Sequence, residues 1–351
     1  MKKLIQSKFS KKKATPSRIT NETVAEHRER VIAGGKRYKY PLQYTRRKLV
    51  INAIIIGSVT IVTLLLLGWW QLYIAQNSSA FFYRMTRIVP LPVAMVDGET
   101  ARYSDYLLNY RASEHYLNRF DEIRSDSDDG RLQLQYKRRE ALDVALADAL
   151  ARKIAREQSL SVDQSELDAV LENLRSASNG VLSEETSNVS LQRVLGLTGD
   201  DLNVLVHNSL LRSKAAFAVD DKATAMKQTV AEALEQHNFD LEGVAAMLNE
   251  QQQGSVQYGV SGLVSNTISF GGVSVRKIAD MPVGEVSAMP IQSVTSDGYY
   301  FVRVLQKNDV EVNFAFIRIP LTVFANRLQE LKDDDKVSEY ISIKIDQPEE
   351  Q

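Results

Sequence analysis

LVINAIIIGSVTIVTLLLLGWW, Leu49 to Trp70, is 22 residues without one charged side chain. At 1.5 Å per residue such a helix is about 33 Å long, enough to cross a hydrocarbon core of roughly 30 Å. Arg46, Arg47 and Lys48 stand directly before it. Trp69, Trp70 and Tyr73 stand at its far end, where amphipathic rings favour the membrane interface. A core helix rarely runs this long without a charge, and a signal peptide has a shorter apolar region nearer the start. The reading is one retained span over 49–72, anchored by Arg46, Arg47, Lys48, Trp69 and Trp70.

The charge on either side of the span is unequal. Of the 43 basic and 44 acidic residues, 15 basic and 3 acidic fall in residues 1–48, so that stretch is +12 and the remainder −13, although the whole chain is −1. Positive flanks stay in the cytoplasm, so the N-terminus is expected inside and everything after about residue 72 outside the cell membrane. Residues 1–48 include Lys2, Lys3, Lys8 and Lys11 to Lys13 and show no apolar periodicity. They read as a flexible basic tail that touches the lipid bilayer at about 1 kcal/mol per basic residue. They carry no recognisable nucleic-acid motif, and nucleic acid is not an expected partner.

Several chemistries are excluded by composition and pattern. There are no cysteines, hence no disulfide, thiolate metal site or cysteine nucleophile, and the 4 histidines are scattered. No phosphate-binding loop, no H-E-x-x-H and no G-x-S-x-G is present. Ser125 to Gly130 has the composition of a calcium loop, but its glycine comes one place early and Lys137 stands where the bidentate Glu belongs, so it reads as a solvated loop. No metal and no cofactor is expected.

Beyond the span, residues 73–91 read as a linker ending in the extended Val89-Pro90-Leu91-Pro92. Val93 to Val96 reads as a strand and Asp97-Gly98 as a tight turn. Leu142, Leu146, Leu150 and Ile154 repeat at every fourth position, one face of a helix. Ser161 to Gln164 and Thr198 to Asp201 open two further helices, with residues 178–190 as a loop between them. From Asp220 the pattern changes: two helices, then glycine-punctuated strands, of which Tyr299 to Leu305 and Val312 to Ile319 are the strongest. A last amphipathic helix carries Val323, Phe324, Leu328 and Leu331, and Asp346 to Gln351 form an acidic tail.

Two stretches resemble bacterial extracytoplasmic folding factors of the SurA/PrsA/PpiD class. Pro92-Val93-Ala94-Met95-Val96-Asp97-Gly98-Glu99 with Tyr103-Ser104-Asp105-Tyr106 resembles the opening of a SurA-type N-terminal domain, and Leu195 to Leu202 with Leu210 to Lys214 resembles its closing helix. Asn238 to Ala245, Met281 to Ser287 and Ser296 to Val304 resemble, in order, three segments of a parvulin prolyl isomerase. The resemblance implies a single transmembrane helix plus an outer α-helical chaperone-like domain (92–219) and an α+β parvulin-like domain (220–345), with 346–351 as tail.

The departures from the parvulin pattern concern chemistry. The terminal-strand histidine of that family is Tyr300 here, and no histidine strand precedes the first helix. Phe314 to Ile319 follows the terminal strand instead, so one expectation is a permuted domain in which this late strand fills the empty first slot. Tyr300 and Phe316 are the only site candidates, read first as core aromatics and second as peptide-binding lining of a degenerate pocket. The resemblance then implies a membrane-anchored chaperone for unfolded or nascent exported polypeptides, without efficient isomerase activity. A bitopic envelope scaffold and an active isomerase are the alternatives.

Overall fold

The computed structural model of the chain describes residues 19–39, 41–120, 127–177, 180–287 and 289–345. Residues 1–18 of the basic tail, Ser125 and Asp126 of the acidic loop, and the tail 346–351 lie outside them. The chain divides into one unit up to Trp70 and another from Gln71.

In the first unit, α1 (Asn21–Lys39) lies within the stretch expected to be a flexible tail. It needs no core to form. The Thr20 backbone N–H donates to the Thr23 hydroxyl at 2.9 Å, and Glu26 and Arg30 pair one turn apart at 3.7 Å. The second helix, α2 (Pro41–Trp69), contains Arg46, Arg47, Lys48 and the apolar run, and Trp70–Ile74 continues as a π-helical turn. The continuous helical stretch Arg46–Ile74 contains an 18-residue window of mean hydropathy 2.6 and is long and apolar enough to cross a membrane.

The second unit begins with α3 (Ala80–Ile88), β1 (Pro92–Val96) and β2 (Glu99–Arg102). Asp97 and Gly98, with φ of +46° and +82°, form the turn between the two strands. Next come α4 (Tyr103–Phe120) and the long α5 (Asp128–Glu157). Leu142, Leu146, Leu150 and Ile154 are fully buried along one side of α5, against Tyr103, Tyr106 and Tyr110 of α4. Two polar ties cross this core: Arg152 to Asp105 at 2.9 Å, and Arg212 to the buried Asp148. Burial pushes the Asp148 carboxyl up, against the lowering effect of Arg212.

After these come α6 (Gln164–Arg175), the two-residue strands β3 (Ser176–Ala177) and β4 (Gly180–Val181), α7 (Glu184–Leu195) and α8 (Gly199–Val219). Helix α7 replaces most of the loop expected over 178–190. It is capped by Ser183, whose hydroxyl accepts from the Thr186 N–H, and fully buries none of its side chains; only Leu191 and Leu195, near its end, pack half-buried against the core, so the sequence over 178–190 shows no apolar stripe. Helix α8 starts where expected, and Thr198 and Asp201 form a reciprocal cap there.

The β half contains α9 (Asp221–Gln236), α10 (Leu241–Gln251), β5 (Gln257–Val260), β6 (Val264–Ser265), β7 (Ser269–Phe270), β8 (Val273–Ser274), α11 (Val275–Ala279), β9 (Ile291–Gln292), β10 (Gly298–Lys307) and β11 (Glu311–Pro320). The antiparallel sheet runs β5-β11-β10-β9. The late strand β11 therefore lies inside the sheet, paired with β10 (Val302 opposite Phe316) and on its other side with β5. Because side chains alternate, the two faces bury separate clusters. Tyr299, Phe301, Ile317 and Ile319 face α9 and α10, whereas Tyr300, Val302, Val304 and Phe314 face β8 and α11.

Two expected boundaries move. The chain after 320 was read as part of the β half, but α12 (Val323–Asp333) and β12 (Val337–Glu339) return to the helical half. Leu331 and Ile341 are buried in the α4/α5 core, and β12 pairs with β1 (Met95 opposite Ser338). The linker 73–91 is also folded structure. Leu72 is 1 % exposed within the same core, the Tyr103 hydroxyl donates to the Leu72 carbonyl, and the Tyr73 hydroxyl donates to the Pro92 carbonyl at 2.7 Å. Locally these segments read as a loop and a helix of no fixed address; pairing across more than 200 residues decides where they sit.

Candidate functional site

Asp220 governs how the two halves of the second unit join. It is almost fully buried. One carboxylate oxygen accepts the Ala223 N–H at 2.9 Å and caps α9, while the other accepts the N–H groups of Thr322 and Val323 at 2.8 and 3.1 Å, where the chain returns to α12. Two further hydrogen bonds cross the junction. Ser213 of α8 donates to the Ser293 carbonyl at 2.9 Å, and Ser274 of β8 donates to Asn173 of α6 at 3.3 Å.

Between these ties lies a half-open cleft of about 710 Å³. Its helical wall is Val170 and Leu174 of α6, Val181 of β4, and Val206 and Leu210 of α8. Its β wall is Ile291 of β9 with Val294 and the Gly272 turn. Glu172, Arg276, Lys277 and Asp280 line it as well, two charges of each sign. The apolar lining has a local cause. Leu167, Val170, Leu171 and Leu174 fall at helical spacing on α6, and Leu167 is buried against Val206 and Leu210. Toward its C-terminal end the stripe runs out of cover, and Leu174 is 56 % exposed while lining the cleft. Across the gap, Val294 is 36 % exposed.

The sequence-level site residues sit elsewhere. Tyr300 and Phe316 are brought together, ring centroids 5.7 Å apart, in the cluster beneath β7 and β8, where Phe270 stacks edge-on to Phe316 at 5.2 Å. Neither lines the cleft. Tyr300 is 2 % exposed, and its hydroxyl is taken by Asp297, which also pairs with Arg318 at 2.8 Å. Burial, then the Asp297 contact, raises the Tyr300 phenol well above its ordinary pKa, so it stays a neutral hydrogen-bond donor. Of the expected anchoring residues, Trp69 and Trp70 are exposed at the end of the apolar run. His115 approaches the Arg193 carbonyl at 3.1 Å.

Val170, Leu174, Val206 and Leu210 have the helical apolar spacing of ordinary core residues, so nothing in the sequence separates Leu174 from them. No protein-family model, no curated protein and no solved structure matches the chain.

The cleft offers an apolar floor, a charge-balanced lining and no converging nucleophile, base or oxyanion donors. An apolar ligand seated in such a cleft would gain by burial of surface at about 25 cal/mol per Å².

Proposed function

We propose that this is a single-span membrane protein whose second unit, on the outer side of the membrane, binds unfolded or emerging polypeptides as a chaperone does, without nucleotide and without efficient prolyl isomerisation. The cleft between α6/α8 and β7–β9 is the observation that carries this reading: it is large, half-open and lined mainly by apolar surface. The position of β11 between β5 and β10 supports a permuted parvulin-like sheet, because a late strand fills a central slot. Burial of Tyr300 and the missing histidines argue against catalysis. Lowering the roughly 18–20 kcal/mol amide barrier needs groups placed on a bound proline, and fold alone does not supply them. The positive flank of the span supports the outward orientation.

The test uses the full chain reconstituted in lipid nanodiscs. It suppresses aggregation of an unrelated unfolded protein at stoichiometric ratio without ATP, and leaves the isomerisation rate of a proline peptide unchanged. No suppression at molar excess would refute the chaperone reading and leave a scaffold. Acceleration of isomerisation would make it an active isomerase.

A further inference from the structure

The end of the apolar helix and the start of the folded unit are the same residues. Gln71–Ile74, the last turn of the membrane-competent stretch, belongs to the second unit, and Leu72 is built into its core. Six residues further on, α3 begins. Six residues reach at most about 20 Å, so α3 is confined close to wherever Ile74 lies.

The two faces of α3 differ. Its inner face is fixed: Tyr83 and Thr86 are buried, and the Tyr83 hydroxyl donates to Asp201 of α8, which also accepts from Arg87 at 3.2 Å. Its outer face carries Phe81, Arg84 and Ile88 at i, i+3 and i+7, with Phe81 69 % and Ile88 83 % exposed. Two large apolar side chains flanking an arginine on one short helix match a helix lying in the headgroup layer, where apolar groups sink and the guanidinium meets phosphate.

We propose that α3 docks on the bilayer surface, with Phe81 and Ile88 inserted at the acyl boundary and Arg84 on anionic headgroups. This would hold the unit flat against the membrane without a flexible stalk. The proposal rests on reading Arg46–Ile74 as a span. The occupant is lipid because the helix starts only six residues past the end of the membrane-competent stretch, and Arg84 carries the charge that anionic headgroups attract.

The absence of cysteine allows clean single-site labelling. Full-length Phe81→Cys, Ile88→Cys, Ile56→Cys and Glu235→Cys carry a nitroxide in vesicles of phosphatidylcholine and phosphatidylglycerol, and collision rates with oxygen and with a water-soluble nickel chelate give depth. The labels at 81 and 88 are expected to favour oxygen severalfold, the mid-span label at 56 more strongly, and the label at 235 to favour nickel. If 56 reads deep while 81 and 88 read like 235, the docking proposal is overturned and the span stands. If 56 reads aqueous, the span reading fails and the proposal with it. Shielding of 81 and 88 from both probes means that protein, such as a second copy, covers the helix, which also overturns it. With Arg84→Glu added, the label at 88 moves toward water in phosphatidylglycerol-containing vesicles only; an equal shift in pure phosphatidylcholine removes the part given to Arg84.

Discussion

Leu174→Asp is the sharpest probe of the cleft. Leu174 lines it with 56 % of its surface still open. Burying a leucine side chain completely is worth about 1.5–3 kcal/mol. A client that covers the open half therefore gains about 1.4 kcal/mol from this one residue, a factor of about ten in Kd. The aspartate also puts a carboxylate beneath an apolar client, which must be desolvated, so tenfold is a floor. Folding changes far less: the side chain is already half in water, and an acid in the last turn of α6 costs about 0.3–1 kcal/mol against the helix dipole. The assay is fluorescence anisotropy of a labelled apolar peptide added to the full chain in nanodiscs, with a thermal melt alongside. Leu174→Asp should weaken binding by about tenfold or more, and Val294→Asp, on the opposite wall and only 36 % exposed, by about threefold or more. Val283→Asp, exposed but outside the cleft, should leave it unchanged. Unchanged affinity in both wall variants with intact melts would refute the cleft as the binding site.

Three predictions concern the framework. Leu72→Ala should destabilise the second unit by about 2–5 kcal/mol, since it empties a closed core position, and urea denaturation of the nanodisc-held chain would show it as a lowered midpoint; an effect near zero would mean that the span's end is not packed there. Asp220→Ala strips the acceptor from three backbone N–H groups and should cost about 3 kcal/mol, with increased proteolysis near residues 320–323; a melt within error of the parent would remove Asp220 from the junction. Asp201 makes stability acid-sensitive. Burial pushes its carboxyl up, but hydrogen bonds with Tyr83 and Thr198 and the charge of Arg87 outweigh this and hold it below its ordinary value. A lowered folded pKa contributes stability above the unfolded value of about 3.9, which is lost as pH falls through the folded value. Asp201→Asn should therefore be less stable than the parent at pH 7, with the gap narrowing below about pH 4; a gap independent of pH would contradict the assignment.

The parts of the fold legible in the sequence were those encoded locally. The charge-free run of Leu49 to Trp70 fixes a membrane-length helix by length alone. The fourfold repeat of Leu142 to Ile154 fixes the buried face of α5, and Thr198 with Asp201 fixes the start of α8 through a cap three residues long. Helix α7 escaped because it packs only Leu191 and Leu195, near its end and half-buried, and α1 because it needs no core. The candidate site was largely illegible. Tyr300 and Phe316 stand out as aromatics in a strand, but that pattern is the same for a core face and a binding face. Leu174 has the pattern of core, and only its missing neighbour makes it a wall.

By itself the sequence determined the membrane-length helix, its charge asymmetry, the absence of thiol chemistry and the helix-then-strand order, all of which depend on residues within about one helical length of each other. Tertiary structure alone decided that the chain returns after residue 320 to pair β12 with β1, that Leu72 ends the apolar helix inside a core, and that α6 and β9 face each other across an open cleft. Those outcomes depend on which apolar surfaces find each other across hundreds of residues, and local periodicity carries no address for a distant partner.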